Sequence, residues 1–242
     1  MTKSNIKGYV NSIESMGLVD GPGIRCVVFL EGCNLRCKYC HNPEMWIKKE
    51  ANYTARELVK KIIRFKPYFK NNGGVTFSGG EPLLQSEFII EVCKLLKEEN
   101  INIALDTAGV GNGNYEELLK YIDLVIFDVK HVEKDEYKKL TLHDNSESEM
   151  FLQVVQNMNK KLWIRQVIIP GVNDNIEYLE KLNIYLKDVE NIEKIEFLPY
   201  HTLALNKYQK LNIDYFYKDK KDMNKDICNN LYTKFLELRT RN

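Results

Sequence analysis

Three cysteines stand at C-x3-C-x2-C spacing in Cys33-Asn34-Leu35-Arg36-Cys37-Lys38-Tyr39-Cys40. A loop this short can fold its thiols around one inorganic centre, and thiolate is a soft ligand suited to Fe–S clusters, zinc and copper(I). The count matters most. A closed four-iron cluster or a structural zinc site takes four protein ligands, so three leave a coordination position open for chemistry. Taken alone, the cysteines also allow a zinc site completed by His41, or a redox thiol role. The other cysteines read as structural. Cys26 lies inside an apolar strand pattern, Cys93 shares a helical face with Ile89, Val92 and Leu96, and Cys228 sits beside Ile227 near Leu231. Free cysteine is commonly buried as a small hydrophobe.

Further chemistry-bearing residues fall between apolar stretches. The glycines of Gly79-Gly80-Glu81 let a backbone approach a ligand with no Cβ in the way, or make a plain strand-to-helix turn. Asp106, Thr107 and Asp128 offer oxygen ligands, and two buried carboxylates repel unless a countercharge joins them. Lys130 is one candidate, as a simple ion pair, and a bound hard cation is the other. Arg165, in Arg-Gln-Val-Ile-Ile-Pro-Gly, reads as a ligand contact or as half of a structural ion pair. His201, in Leu-Pro-Tyr-His-Thr, and His131 and His143 read by themselves as solvated side chains. Asp20, in Asp-Gly-Pro-Gly-Ile-Arg, reads as a turn residue.

These residues need positioning, and periodicity supplies the elements. Strands are expected at Ile24–Leu30, Gly74–Phe77, Asn102–Asp106, Leu124–Val129, Leu162–Ile169 and Lys194–Leu198. Thr54 and Glu57 form a capping box for a helix that ends before Pro67. Further helices are expected over Ser86–Glu99, from an Asn114 cap to Tyr121, over Lys134–Leu140 and Ser146–Asn159, over Asn175–Lys187, and over Asp222–Arg239, with Pro199–Leu211 as a loop. Strand and helix alternate, which argues for parallel strands with helical crossovers. The unusual residues all fall just past the strands' carboxyl ends, the rim where active sites of parallel α/β folds are built.

The chain has 242 residues and a formal charge of +1. That length fits one domain, and the near-neutral charge argues against nucleic acid or an anionic membrane as partner. No apolar run approaches a membrane span, and the first ten residues lack the apolar core of a signal peptide, so a cytoplasmic protein is expected. Six cysteines in a reducing compartment read as ligands or buried thiols rather than disulfides. No exposed heptad or pairing strand stands out, so a monomer is expected.

From Gly21 the chain runs GPGIRCVVFLEGCNLRCKYCHN. A glycine-rich turn and an arginine lead into an apolar strand, then Gly32, then the cysteines with Tyr39 before the last. Together with TFSGGEPLL and LPYHTL, this resembles the glycyl-radical-enzyme activating enzymes, a branch of the radical S-adenosylmethionine (radical SAM) family, from about Ser12 to Tyr208. The resemblance implies an α/β fold, a partial (β/α)6 TIM-type barrel of parallel strands over about residues 22–200, within a single domain 1–242. It implies a 4Fe-4S cluster on Cys33, Cys37 and Cys40, and S-adenosylmethionine at the vacant iron. Cofactor contacts are implied for Tyr39, Cys40 and His41 near the adenine, for Gly79, Gly80 and Glu81 at the amino group, and for Asp106, Asp128, Val129, Lys130, Arg165 and His201. A monovalent cation on Asp106, Thr107 and Asp128, and a substrate contact at Asp20, follow from the same likeness. The implied partners are pyruvate formate-lyase, losing hydrogen from a glycine, and reduced flavodoxin or ferredoxin as electron donor. Another glycyl radical enzyme as partner and a non-redox zinc module are the alternatives. Ala108 departs from the polar residue the family often has in its Asp-Thr-x-Gly turn.

Overall fold

Strands and helices alternate along the chain as the apolar periodicity requires. The computed structural model describes residues 6–240, so residues 1–5 and 241–242 of the expected domain span lie outside the described residues. The strands are β1 (Lys7–Gly8), β2 (Val10–Gly17), β3 (Arg25–Leu30), β4 (Tyr53–Thr54), β5 (Gly74–Gly79), β6 (Asn102–Thr107), β7 (Leu124–Val129), β8 (Lys161–Ile168) and β9 (Ile192–Pro199). The helices are α1 (Ala55–Ile63), α2 (Lys66–Phe69), α3 (Ser86–Glu98), α4 (Tyr115–Leu119), α5 (Lys134–Thr141), α6 (Ser146–Asn157), α7 (Ile176–Tyr185), α8 (Leu205–Leu211) and α9 (Lys225–Thr240).

β3, β5, β6, β7, β8 and β9 lie side by side in chain order, and every neighbouring pair is parallel. This is the expected partial (β/α)6 barrel. Each return crosses the outside through helix, since a parallel pair cannot be joined by a hairpin. β1 and β4 form a separate antiparallel pair.

The strands' two faces carry different residues. Outward-facing Val75, Phe77, Ile103, Leu105, Val125, Phe127, Leu162 and Ile164 are buried together with helix residues such as Leu58, Ile62, Ile89, Val92, Phe151 and Leu179. Each such side chain contributes about 1.5–3 kcal/mol on burial. The inward face holds a small apolar cluster of Ala104, Leu124 and Ile126, with Trp163 packed against it. Two residues further along their strands the same face turns polar, at Asp106, Asp128 and Arg165, because successive same-face positions are two apart. Register puts Asp128 opposite Arg165 and Arg165 opposite Glu196. The apolar floor thus lies under a polar layer.

Several expectations are corrected. β2 joins the sheet antiparallel to β3, pairing Val10 with Leu30 and Gly17 with Arg25, so the sheet is not wholly parallel. Helix α1 has the expected capping box and stops at Ile63, and Pro67 sits in the first turn of α2, where a missing N–H costs nothing. Asn114 is left-handed at φ 57° and makes no side-chain cap to α4. The stretch after β9 is not all loop, since it contains α8. His131 is buried at 5 % exposure with its ring 4.9 Å from that of Tyr178. No described helix is long and apolar enough to cross a membrane.

Candidate active site

The cysteine loop leaves β3 through Gly32, whose φ of +95° suits glycine. The Gly32 amide donates to the Met45 carbonyl at 2.7 Å and the Cys33 amide to the Trp46 carbonyl at 3.2 Å, so the loop closes on itself. Inside it, the Arg36 guanidinium donates to the carbonyls of Cys33 at 2.6 Å and Leu35 at 2.8 Å and lies 5.1 Å from the Trp46 ring. Arg36 therefore braces the loop from within.

Cys33, Cys37 and Cys40 all line one cavity at the carboxyl ends of the parallel strands. Its volume is about 920 Å³ including the solvent at its mouth. All three thiols are unpaired. Burial raises the pKa of each, pushing Cys37 up to about 12, so without a metal core the loop carries neutral thiols. Three soft donors around a shared space, with no fourth cysteine on the cavity wall, fit a cluster with one open corner. His41 does not complete a zinc set. Its ring stacks on His201 with centroids 4.0 Å apart and planes 6° from parallel, and its Nε2 is committed to the His201 carbonyl at 3.1 Å. Burial, then His201, lowers the His41 pKa. Among the described residues no three His, Cys, Asp or Glu side chains close on a single metal ion.

Gly79 and Gly80 also line this cavity. A Cβ on Gly79 would lie 2.4 Å from the Leu30 amide nitrogen, and one on Gly80 would lie 2.3 Å from the Gly32 carbonyl oxygen. The glycines allow two backbones to meet, and the Glu81 amide then donates to the Gly32 carbonyl at 2.8 Å. Glu81 lines the cavity, yet its carboxylate accepts from the Leu83 amide at 3.1 Å, the Ala108 amide at 3.0 Å and the Thr107 hydroxyl. Burial pushes its pKa up to about 7 against those bonds.

Asp106 accepts from the Ser78 hydroxyl at 2.7 Å and lies 3.5 Å from the Arg165 guanidinium, both through Oδ2. Its Oδ1 is buried without a partner. Burial pushes the Asp106 pKa up to about 6, against the pull of Arg165. Asp128 pairs with Lys130 at 2.8 Å, and the Lys130 ammonium stands 5.7 Å from the Tyr39 ring. Burial disfavours that ammonium most strongly, but the acidic groups around it, Asp128 foremost, together outweigh burial and hold the Lys130 pKa well above its usual value. Arg165 also bonds Glu196 at 3.0 Å and donates to the Val19 carbonyl.

The cavity thus gathers Cys33, Cys37, Tyr39, Cys40, His41, Gly79, Gly80, Glu81, Asp106, Thr107, Asp128, Lys130 and Arg165 of the expected set. Val129, Asp20 and His201 are not on its wall. Val129 faces the helices because Asp128 and Lys130 take the inward positions of β7 and its end. Asp20 is half-buried, and its carbonyl accepts from the Thr76 hydroxyl at 2.6 Å. His201 stands behind His41, with its Nδ1 buried and unpartnered. Sequence reasoning missed Ser78, Asn42, Trp46, Val167 and Leu198 on the wall. Ser78 was findable, since it immediately precedes the glycine pair on an apolar strand.

A family model described as a 4Fe-4S single cluster domain matches residues 19–151. A pyruvate formate-lyase-activating enzyme of Clostridium pasteurianum is 55 % identical over 223 residues, covering 91 % of this chain and 94 % of the relative. Among solved structures, Streptococcus suis SuiB bound to S-adenosylmethionine aligns with a TM-score of 0.66 at 18 % identity, over 86 % of this chain and 45 % of that one. A radical SAM methyltransferase of Sphaerobacter thermophilus aligns with a TM-score of 0.63 at 18 % identity, over 89 % of this chain and 64 % of that one. The two structures share the fold, and the sequence relative shares more: by identity and by coverage of both chains, this chain belongs to the pyruvate formate-lyase-activating enzyme family.

Proposed function

We propose that this chain activates pyruvate formate-lyase by generating a radical on one of its glycines. The observation that carries the reading is the convergence of three unpaired thiols, the Gly79–Gly80 backbone and Asp106 on one cavity at the barrel's rim. The named relative supports the substrate and the neighbour bound to S-adenosylmethionine supports the cofactor.

When bound, a 4Fe-4S cluster with S-adenosylmethionine supplies one-electron reductive cleavage of the cofactor and removal of hydrogen from the partner's glycine. Cys33, Cys37 and Cys40 would hold the cluster, with no fourth cysteine on the cavity wall. Gly79 and Gly80 offer backbone at the cavity wall with no side chain in the way, as the cofactor's amino group requires. Lys130 and Arg165 bring positive charge to a wall that also carries Asp106 and Asp128, so the cavity suits a ligand bearing both an amine and a carboxylate. Tyr39 supplies an aromatic face for the adenine, and His41 the neighbouring wall. His201 acts through His41, which it stacks on, and Val129 through backbone alone. A monovalent cation would take Asp106 Oδ1 as its free carboxylate oxygen, because Thr107 and Asp128 already have partners. Asp20 lies on the loop between β2 and β3, numbered 18–24, that would meet the partner's glycine segment.

Further parts of the proposal are a reduced flavodoxin or ferredoxin as electron donor, a monomer, a single domain over residues 1–242, and a cytoplasmic location. One apolar core running from Val10 to Phe235 supports the domain, and six unpaired cysteines support the reducing compartment. The test is to mix the anaerobically reconstituted, reduced protein with S-adenosylmethionine and pyruvate formate-lyase and to record electron paramagnetic resonance spectra. A glycyl radical signal is expected. A loaded, reducible protein that gives no signal sinks the named substrate.

A further inference from the structure

The two halves of the cysteine loop are held by different parts of the chain. The first half is tied to the end of α5, where the Arg36 amide donates to the Thr141 carbonyl at 2.8 Å and the Lys38 amide to the Leu140 carbonyl at 2.9 Å. The second half, from Cys40 onward, is held by α8, which follows the last barrel strand. The Tyr208 hydroxyl donates to the Cys40 carbonyl at 3.1 Å. The Lys207 ammonium donates to Asn42 Oδ1 at 2.8 Å and to Glu44 Oε1 at 2.6 Å. Asn42, held this way, directs its backbone N–H at the Cys40 sulfur, 3.4 Å away.

Consecutive residues of one short helix therefore fix both the carbonyl of Cys40 and the residue that donates to its thiol. Tyr208 is 1 % exposed, with its ring edge-on to Trp46 at 5.8 Å and tilted against Tyr215 at 4.7 Å. The ring would hold its place by packing alone, so the hydroxyl bond is separable from the fold. Partners of this kind orient metal-ligating residues, and hydrogen bonds to sulfur help set the reduction potential of an iron–sulfur cluster.

We infer that Tyr208 and Lys207 are positioning residues for the third clustered cysteine: through the Cys40 carbonyl and Asn42 they fix how the thiol presents itself and keep an N–H aimed at its sulfur. The inference rests on the cluster reading above. Losing the Tyr208 bond frees the Cys40 peptide to turn and weakens the amide-to-sulfur contact. The cluster then loses iron more readily. Its reduced form, which carries more negative charge on sulfur, is less stabilised, so the midpoint potential falls.

The test compares wild type, Tyr208→Phe and a control, Tyr232→Phe, after anaerobic reconstitution. Tyr232 also donates its hydroxyl to a backbone carbonyl, that of Ile195 at 3.0 Å, but outside the cysteine loop. Iron release to a chelator and the potentiometric midpoint are read beside the melting temperature of the metal-free proteins. Tyr208→Phe is expected to release iron about tenfold faster and to show a lower midpoint. Tyr232→Phe is expected to match wild type in both, whatever its melting temperature. If Tyr208→Phe does not fold, Lys207→Met, which releases Asn42, carries the same expectation. A folded variant that matches Tyr232→Phe in both readouts overturns the inference and leaves the cluster reading standing. A wild type that takes up no cluster sinks both.

Discussion

The Thr107 hydroxyl donates to Oε1 of Glu81, and the Ala108 amide donates to Oε2 of the same carboxylate at 3.0 Å. Glu81 therefore ties the end of β5 to the end of β6. The departure at Ala108 leaves this tie intact, because the backbone amide makes it. A carboxylate at 1 % exposure sits where charge is costly even with good donors, and burial wins over them.

That balance makes stability depend on pH. The Glu81 pKa is raised from 4.5 to about 7, so between those values the folded chain keeps a proton that the unfolded chain releases. Stability from this group is full at the acidic end, falls as pH rises through the window, and is level above it. The change amounts to about 3 kcal/mol. Urea unfolding of the metal-free protein from about pH 5 to about pH 8 should show this loss, and Glu81→Gln should flatten it. Asp106 titrates in both proteins and drops out of the comparison. Parallel curves for the two proteins would show that Glu81 does not hold the proton.

Gly80→Ala tests the meeting of the two backbones. Its Cβ would stand 2.3 Å from the Gly32 carbonyl oxygen and 3.0 Å from the Met45 carbonyl oxygen, and neither is the end of a flexible side chain. The cysteine loop must shift, at about 1–3 kcal/mol. Thermal unfolding of the metal-free protein should register that loss, and the iron bound after reconstitution should fall with it. Full stability together with a full iron content would mean that the loop yields freely.

The sequence exposed the parts of this site that need unusual residue types. Cysteines at short spacing, a glycine pair and aspartates closing apolar strands stand out against strand and helix patterns, and they mark a rim. Side-chain direction is a different matter. Glu81 is legible as a carboxylate beside the site, but only packing turns it onto Thr107 and Ala108. β2 escapes notice because its residues from Asn11 to Met16 alternate between partly buried and exposed with only Ile13 and Met16 apolar, so no apolar stripe stands out. Lys207 and Tyr208 escape it because the chain returns to the cysteine loop after 168 residues, a distance no local period encodes. The Arg165 bond to the Val19 carbonyl, across 146 residues, is hidden for the same reason.

Arg165 joins three elements, and its removal should be costly. Its guanidinium faces Glu196 at 3.0 Å and Asp106 at 3.5 Å, and the side chain is only 9 % exposed. Arg165→Met leaves buried Asp106 without its cation, leaves Glu196 only its pair with Lys194, and frees the Val19 carbonyl. The expected loss is about 3–5 kcal/mol, as for other buried pairs with one partner removed. Arg165→Lys should recover part of it, because a lysine restores charge but not the three-way fork. Denaturant unfolding of the metal-free proteins reads the difference. A methionine variant within about 1 kcal/mol of wild type would put Arg165 in a far more solvated setting than the geometry gives it.

Substitution of the cysteines separates ligands from packing. Cys33, Cys37 and Cys40 line the cavity, whereas Cys26, Cys93 and Cys228 lie in the apolar core. A cluster held by three thiols has no spare protein ligand, so replacing any one of them removes a corner that nothing nearby can fill. Cys33→Ser, Cys37→Ser and Cys40→Ser should each lose the brown absorption and most of the iron and sulfide after reconstitution. Cys93→Ala should keep them and lose only the stability of a small apolar group, about 1 kcal/mol. Iron and sulfide analysis beside a denaturation curve distinguishes the two classes. A Cys37→Ser protein that loads normally, or a Cys93→Ala protein that is folded yet colourless, would mean that the cluster sits elsewhere.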